Sequence, residues 1–202
     1  MGRSLLIRTN DFPYHVRIRS NNREWFYLPI EEVWEIFTFQ LQETATKHNL
    51  DIYCFTLMNN HYHLLFKTPD QNIDKALQHL NHQISLAIGK KANRINRIFG
   101  TRYKWSIVQT ENYLLRVYRY IYQNPIRAGI CEKVEVYPYN SLNSSLKSKN
   151  IIDNLDKIGA VFDKNNLTLL NWLNEKQGED HYKQTKKGLQ KKFFDPVFKR
   201  KY

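Results

Sequence analysis

Residues 51–66 read Asp-Ile-Tyr-Cys-Phe-Thr-Leu-Met-Asn-Asn-His-Tyr-His-Leu-Leu-Phe, two β-rich runs separated by Asn59-Asn60. β-Branched and aromatic residues suit a pleated, packed surface, and paired asparagines tolerate the dihedrals of a tight turn, so the stretch predicts an antiparallel hairpin. In its second strand the period of two puts His61 and His63 on one face while Tyr62, Leu64 and Phe66 enter the core. Two such imidazoles, about 7 Å apart at Cα, can converge on one divalent ion; the alternative is a pair of surface or hydrogen-bonded histidines.

Upstream, Tyr14 to Ser20 alternates, with Val16 and Ile18 on one side and His15, Arg17 and Arg19 on the other. If this strand lies in the same sheet, its polar side brings His15, Arg17 and Arg19 near the imidazoles as phosphate contacts or as hydrogen-bonding partners of the ligands. The alternative is that Arg17 and Arg19 flank an exposed sheet edge. Between strand and hairpin, Pro29, the first-turn acids Glu31 and Glu32, and Val33, Trp34, Phe37, Leu41 and Ala45 predict an amphipathic helix over 31–48.

Downstream, Thr68-Pro69-Asp70 ends the hairpin, and Ile73, Ala76, Leu77, Leu80, Ile84, Ala87 and Ile88 form the stripe of a second helix. Lys90, Lys91, Arg94 and Arg97 follow in a polar segment that is either nucleic-acid-facing or a plain solvated loop. Residues 103–108 suggest a strand, and 111–123 a third helix ended by Asn124-Pro125. The order strand, helix, strand, strand, helix, strand predicts an α+β chain with a ferredoxin-like split βαβ sheet, flanking helices and one added helix. Residues 167–173 can start a short helix in a C-terminal extension.

Residues 118–125 read Tyr-Arg-Tyr-Ile-Tyr-Gln-Asn-Pro. Tyrosines two apart cannot share a helical face, because each step of two turns the chain by about 200°, so the three must have different jobs. Tyr120 and Asn124, four apart, do lie together, and Leu114, Val117, Ile121 and Leu115 can pack the helix that holds them. Taken singly, each tyrosine is as well read as a packing or surface residue.

The 202 residues suffice for one full core plus an extension, and the 42% of hydrophobic residues excludes a disordered chain. No apolar run approaches the roughly 20 residues that span a bilayer, so a soluble, globular protein with no membrane-spanning segment is expected. No secretory signal is visible, and Cys54 and Cys131 form no disulfide framework, which makes a reducing cytoplasmic setting the default. The 31 basic against 19 acidic residues give +12, a field that attracts nucleic acid or an anionic membrane. Residues 181–202 hold eight of those cations, among them Lys186, Lys187, Lys191 and Lys192, as a solvated tail or a phosphate-contact surface.

Three ordered blocks, YHVRIRSNNR at 14–23, LMNNHYHLLF at 57–66 and YRYIYQNPIRAGI at 118–130, together resemble the Y1 transposases of the HUH nucleases, especially the REP-associated tyrosine transposases. The resemblance runs from about residue 10 to 140, which divides the chain into a catalytic domain at 1–140 and a basic extension at 141–202 with expected DNA contacts. It implies an HUH nuclease fold in which His61, His63 and Asn124 hold Mg2+ or Mn2+ and Tyr120 attacks. The implied substrate is single-stranded DNA beside a hairpin or palindrome, and the implied products are a 5'-phosphotyrosine and a free 3'-hydroxyl. Ligation by two histidines and an asparagine alone would also suit zinc.

Two positions depart from the family's usual pattern, Asn59 where a proline is common and Ser20 where a glycine is, and neither removes a ligand. DNA-binding roles are expected for His15, Arg17, Arg19, Arg94, Arg97 and the lysines 186, 187, 191 and 192, with base stacking by Trp25, Phe26 or Trp105. Both a homodimer and a monomer are consistent with the family. A catalytically idle hairpin-binding protein and a metal phosphoesterase using water are the competing functions; an RNA-binding module is disfavoured because no aromatic RNP-type strand is present.

Overall fold

In the computed structural model, which describes residues 5–142 and 166–196, strand β1 (Tyr14–Arg19) pairs antiparallel with both β3 (His61–Lys67) and β4 (Lys104–Ile107). Strand β3 pairs in turn with β2 (Asp51–Met58), through the predicted hairpin, to give the order β2-β3-β1-β4. Helix α1 (Ile30–His48) connects β1 to β2, and α2 (Ile73–Lys91) connects β3 to β4. This is the split βαβ arrangement the pattern predicts. Glu31 and Glu32 sit in the first turn of α1, and Asn49 ends it in the left-handed region at φ 51°.

The alternation in the strands sorts the sheet into two buried faces. Val16, Ile18, Leu57, Tyr62, Leu64 and Phe66 join Val33, Phe37 and Leu41 of α1 and Leu77, Leu80, Ile84 and Ile88 of α2 in one core. The other face carries Cys54, Leu65 and the histidines, and is covered by α3 (Glu111–Tyr122) through Val117, Tyr118 and Ile121. Thr110 caps α3 by accepting the Tyr113 N–H at 3.2 Å. The helical path does not stop at Asn124-Pro125 as expected: Gln123 keeps a helical backbone, and a short α4 (Asn124–Arg127) begins there. Proline fits that first turn because its missing N–H would have had no partner.

The described part of the extension folds onto α3 as α5 (Asn166–Asn174) and α6 (Glu179–Gly188), and its Leu169, Leu173, Leu189 and Phe194 share the second core. Lys199, Arg200 and Lys201 lie outside the described residues. Both rims of the sheet carry backbone from the chain itself. On β2, Leu57 donates to Tyr139 at 2.9 Å and Ser141 to Phe55 at 2.8 Å; on β4, Ile107 donates to Lys192 at 2.8 Å and Phe194 to Ile107 at 2.7 Å. Among the described residues no helix is long and apolar enough to cross a membrane.

Candidate active site

The antiparallel register sets Arg17 opposite His63 and Arg19 opposite His61, so all four side chains leave the same face of the sheet. His15 comes from this face too: its Nε2 lies 2.8 Å from His63 Nδ1, with the rings stacked at 5.1 Å. His61 Nδ1 lies 2.7 Å from Asn60 Oδ1, while Asn60 Nδ2 donates to the Arg23 carbonyl at 2.7 Å. The Asn60 oxygen is therefore the acceptor, His61 carries its proton on Nδ1, and its Nε2 keeps a free lone pair. The His61 and His63 rings are 5.3 Å apart.

Burial holds these imidazoles neutral. It lowers His15 to about 3, and lowers His61 to about 4 with help from Arg19, Arg17 and Lys186. It also pushes His63 well below the ordinary value. Neutral imidazole is the form that binds a metal.

Helix α3 lays Tyr120 against this pair. Its ring meets His63 edge-on at 5.7 Å and His15 edge-on at 6.4 Å. Tyr118 and Tyr122 turn away into the core, 4.8 Å from each other, where Tyr122 shares a 2.6 Å hydrogen bond with Ser141. Tyr118 and Tyr122, four residues apart, share one face and one packing job, which corrects the expectation of three different jobs: only Tyr120 stands apart from the other two. Burial, and next the neighbouring Tyr182 phenol, raise the pKa of Tyr120, against the pull of Arg17 and Arg19, so at rest its hydroxyl is protonated.

Asn124 is one turn further along the same face of the helical path, its amide nitrogen donating to the Tyr120 carbonyl at 2.7 Å. Its amide oxygen is left as an acceptor. Among the described residues no three His, Cys, Asp or Glu side chains are grouped to hold a metal. His15 does not make a third ligand because it is tied to His63 Nδ1. The donor set therefore fits a divalent cation as two neutral imidazoles, each with one nitrogen already engaged, with any third protein ligand coming from an amide oxygen.

A groove of about 570 Å3 opens beside His61, lined by Arg17, Arg19, Arg23, Arg102, Lys104 and Lys186 and, among the described residues, by no acid. Arg23, Arg102 and Lys104 were not singled out by the sequence pattern, although Lys104 pairs with Arg17 on the polar side of β4. Of the four extension lysines, Lys186 reaches this groove. Lys187 and Lys192 are exposed away from its lining, and Lys191 is paired with Asp195.

Arg94 and Arg97 line a separate cavity of about 1170 Å3 on the α2 side, where Arg94 lies 3.6 Å over the Tyr27 ring. Of the aromatics considered for base stacking, Trp25 is 70% exposed, whereas Phe26 is in the core against Phe37 and Trp105 packs on Tyr14.

Residues 9–124 match the family described as IS200-like transposases. A REP-associated tyrosine transposase from Haemophilus influenzae is 22% identical over 124 residues, covering 56% of this chain and 70% of that protein. The solved structure of a REP-associated tyrosine transposase bound to a REP hairpin superposes with a TM-score of 0.62 at 15% identity, covering 70% of this chain and 82% of that one.

Proposed function

The chain belongs to the IS200-like transposase family, of the Y1 type among HUH nucleases, and we propose that it cleaves and rejoins single-stranded DNA beside a hairpin through a covalent bond to Tyr120. The observation that carries this reading is the edge-on contact of the Tyr120 ring with His63 at 5.7 Å, beside a groove walled by six cations. A basic groove of this kind takes a phosphodiester backbone without regard to base.

In the reaction, Tyr120 Oη attacks the scissile phosphorus, the new O–P bond forms as the P–O3' bond breaks, and the phenol proton ends on the departing 3' oxygen. The strand is left as a 5'-phosphotyrosine and a free 3'-hydroxyl, and attack by that or another 3'-hydroxyl reverses the step. A magnesium or manganese ion held by His61, His63 and Asn124 would supply Lewis-acid polarisation of the phosphate. Arg17 and Arg19, which already act on the Tyr120 hydroxyl, favour its phenolate as the proton leaves. Asn60 and His15 fix the ring orientation of His61 and His63 through the nitrogens that face away.

The test uses fluorescently labelled hairpins with randomised single-stranded flanks and Mn2+ or Mg2+. The parent protein is expected to yield a denaturation-resistant protein–DNA adduct, and Tyr120→Phe none. An adduct of parental yield in Tyr120→Phe would remove Tyr120 as the nucleophile; cleavage at full rate without any adduct would select attack by water instead.

A further inference from the structure

Besides its near-perpendicular contacts with His15 and His63, the ring of Tyr120 meets Tyr182 of α6, stacked at 5.2 Å with the planes inclined by 27°. Tyr182 comes from the C-terminal extension, a part of the chain outside the residues matched by the family.

The extension that carries Tyr182 is held on the path of α3 and α4 through both of its described helices. Arg116 donates to Thr185 at 2.7 Å and to the His181 carbonyl at 3.0 Å. Arg119 pairs with Glu175 at 2.9 Å and lies 4.0 Å over Trp172. Gln123 donates to the carbonyls of Leu173 and Glu175, and Arg127 reaches Glu179 at 3.2 Å and the Tyr182 ring at 5.1 Å. Residues 116, 119, 123 and 127 are spaced by three and four, one helical face, while Tyr120 and Asn124 belong to the next.

We propose that Tyr182 is a positioning residue for Tyr120: stacked behind the phenol, it fixes the ring against the histidine pair in the orientation from which the hydroxyl attacks. The inference rests on Tyr120 being the nucleophile. The α3 backbone fixes only the Tyr120 Cα, and the ring keeps two torsions. The near-perpendicular contact with His63 and the stack on Tyr182 both restrict the swing of the ring, which reduces the conformational freedom that attack would otherwise have to remove. The stack itself needs only an aromatic face, while the Tyr182 hydroxyl also interacts with the Tyr120 hydroxyl, so removing the hydroxyl alone tests the two roles apart. That separates positioning from any chemistry by the Tyr182 phenol itself.

The experiment measures single-turnover adduct formation with the same labelled hairpins and Mn2+, alongside DNA affinity by anisotropy, for Tyr182→Ala, Tyr182→Phe and Tyr120→Phe. Tyr182→Ala is expected to slow adduct formation about tenfold or more with affinity changed less than about threefold. Tyr182→Phe, which keeps the stack, is expected to stay within about threefold of the parent rate. A Tyr182→Ala protein as fast as the parent or faster would overturn the proposal, the faster case meaning that Tyr182 only covers the site. A Tyr182→Phe protein as slow as Tyr182→Ala would overturn it in favour of a role for the hydroxyl. Failure of the underlying assignment reads differently: Tyr120→Phe would then still form the adduct, or the parent would form none.

Discussion

His15, His61 and His63 are three imidazoles kept uncharged by burial beside two arginines, and that arrangement makes the fold sensitive to acid. The unfolded chain protonates each near the ordinary value of about 6.5. The folded chain resists until about 4 for His61 and about 3 for His15. A depressed folded pKa contributes stability that is complete above the unfolded value and is lost as pH falls toward the folded one, because the unfolded state binds more protons in that window.

The melting temperature is therefore expected to fall steadily from pH 7 to pH 4.5, each such histidine contributing up to about 1.4 kcal/mol per pH unit. His15→Gln should flatten that slope by roughly one proton, read from thermal melts across the range. At this scale the sequence was legible where a period decided it: His61 and His63 share a face, and Tyr120 and Asn124 share another. Of the partners that orient the rings, the alternation of β1 already offers His15, although its pairing with His63 in particular depends on the cross-strand register; Asn60, which reads as a turn residue, is not legible as one.

The continuous helical path of α3 and α4 has two working faces, and just one of them was visible in the sequence. Val117 and Ile121 are buried against the sheet as the apolar stripe predicts. The face with Arg116, Arg119, Gln123 and Arg127 has the composition of a solvated surface, yet it is where α5 and α6 dock. Charged residues at helical spacing ordinarily face water, and nothing local distinguishes arginines that stack on Trp172 and Tyr182 from arginines that do not.

Arg119→Ala removes a guanidinium whose side chain is 9% exposed, together with its contacts to Trp172 and Glu175. The expected loss is about 2 kcal/mol of stability. Limited proteolysis should then cut within the extension before the sheet domain. Equal protease resistance in Arg119→Ala would show that docking does not depend on this face.

For the whole molecule, the net charge of +12 anticipated an anionic partner, and the fold concentrates part of that charge. Arg17, Arg19, Arg23, Arg102, Lys104 and Lys186 come from β1, the loop after it, the approach to β4, β4 itself and α6. Composition could signal the charge but not its convergence, which requires the sheet to close and the extension to fold back.

Affinity for a hairpin with a single-stranded flank is expected to fall linearly with salt on logarithmic axes. Arg102→Gln and Lys186→Gln should each reduce that slope by about 0.7, the value for one single-strand phosphate. Lys187→Gln, outside the groove, should leave it unchanged; titration by anisotropy at several salt concentrations reads all three.

The backbone that lines both rims of the sheet has a consequence for self-association. Open strands are templates on which a second chain can extend a sheet, and here the positions around Thr56 and Ile107 already have their partners in Asn140 and Phe193. At these positions a second copy could extend the sheet only after displacing the intramolecular pairings already made there.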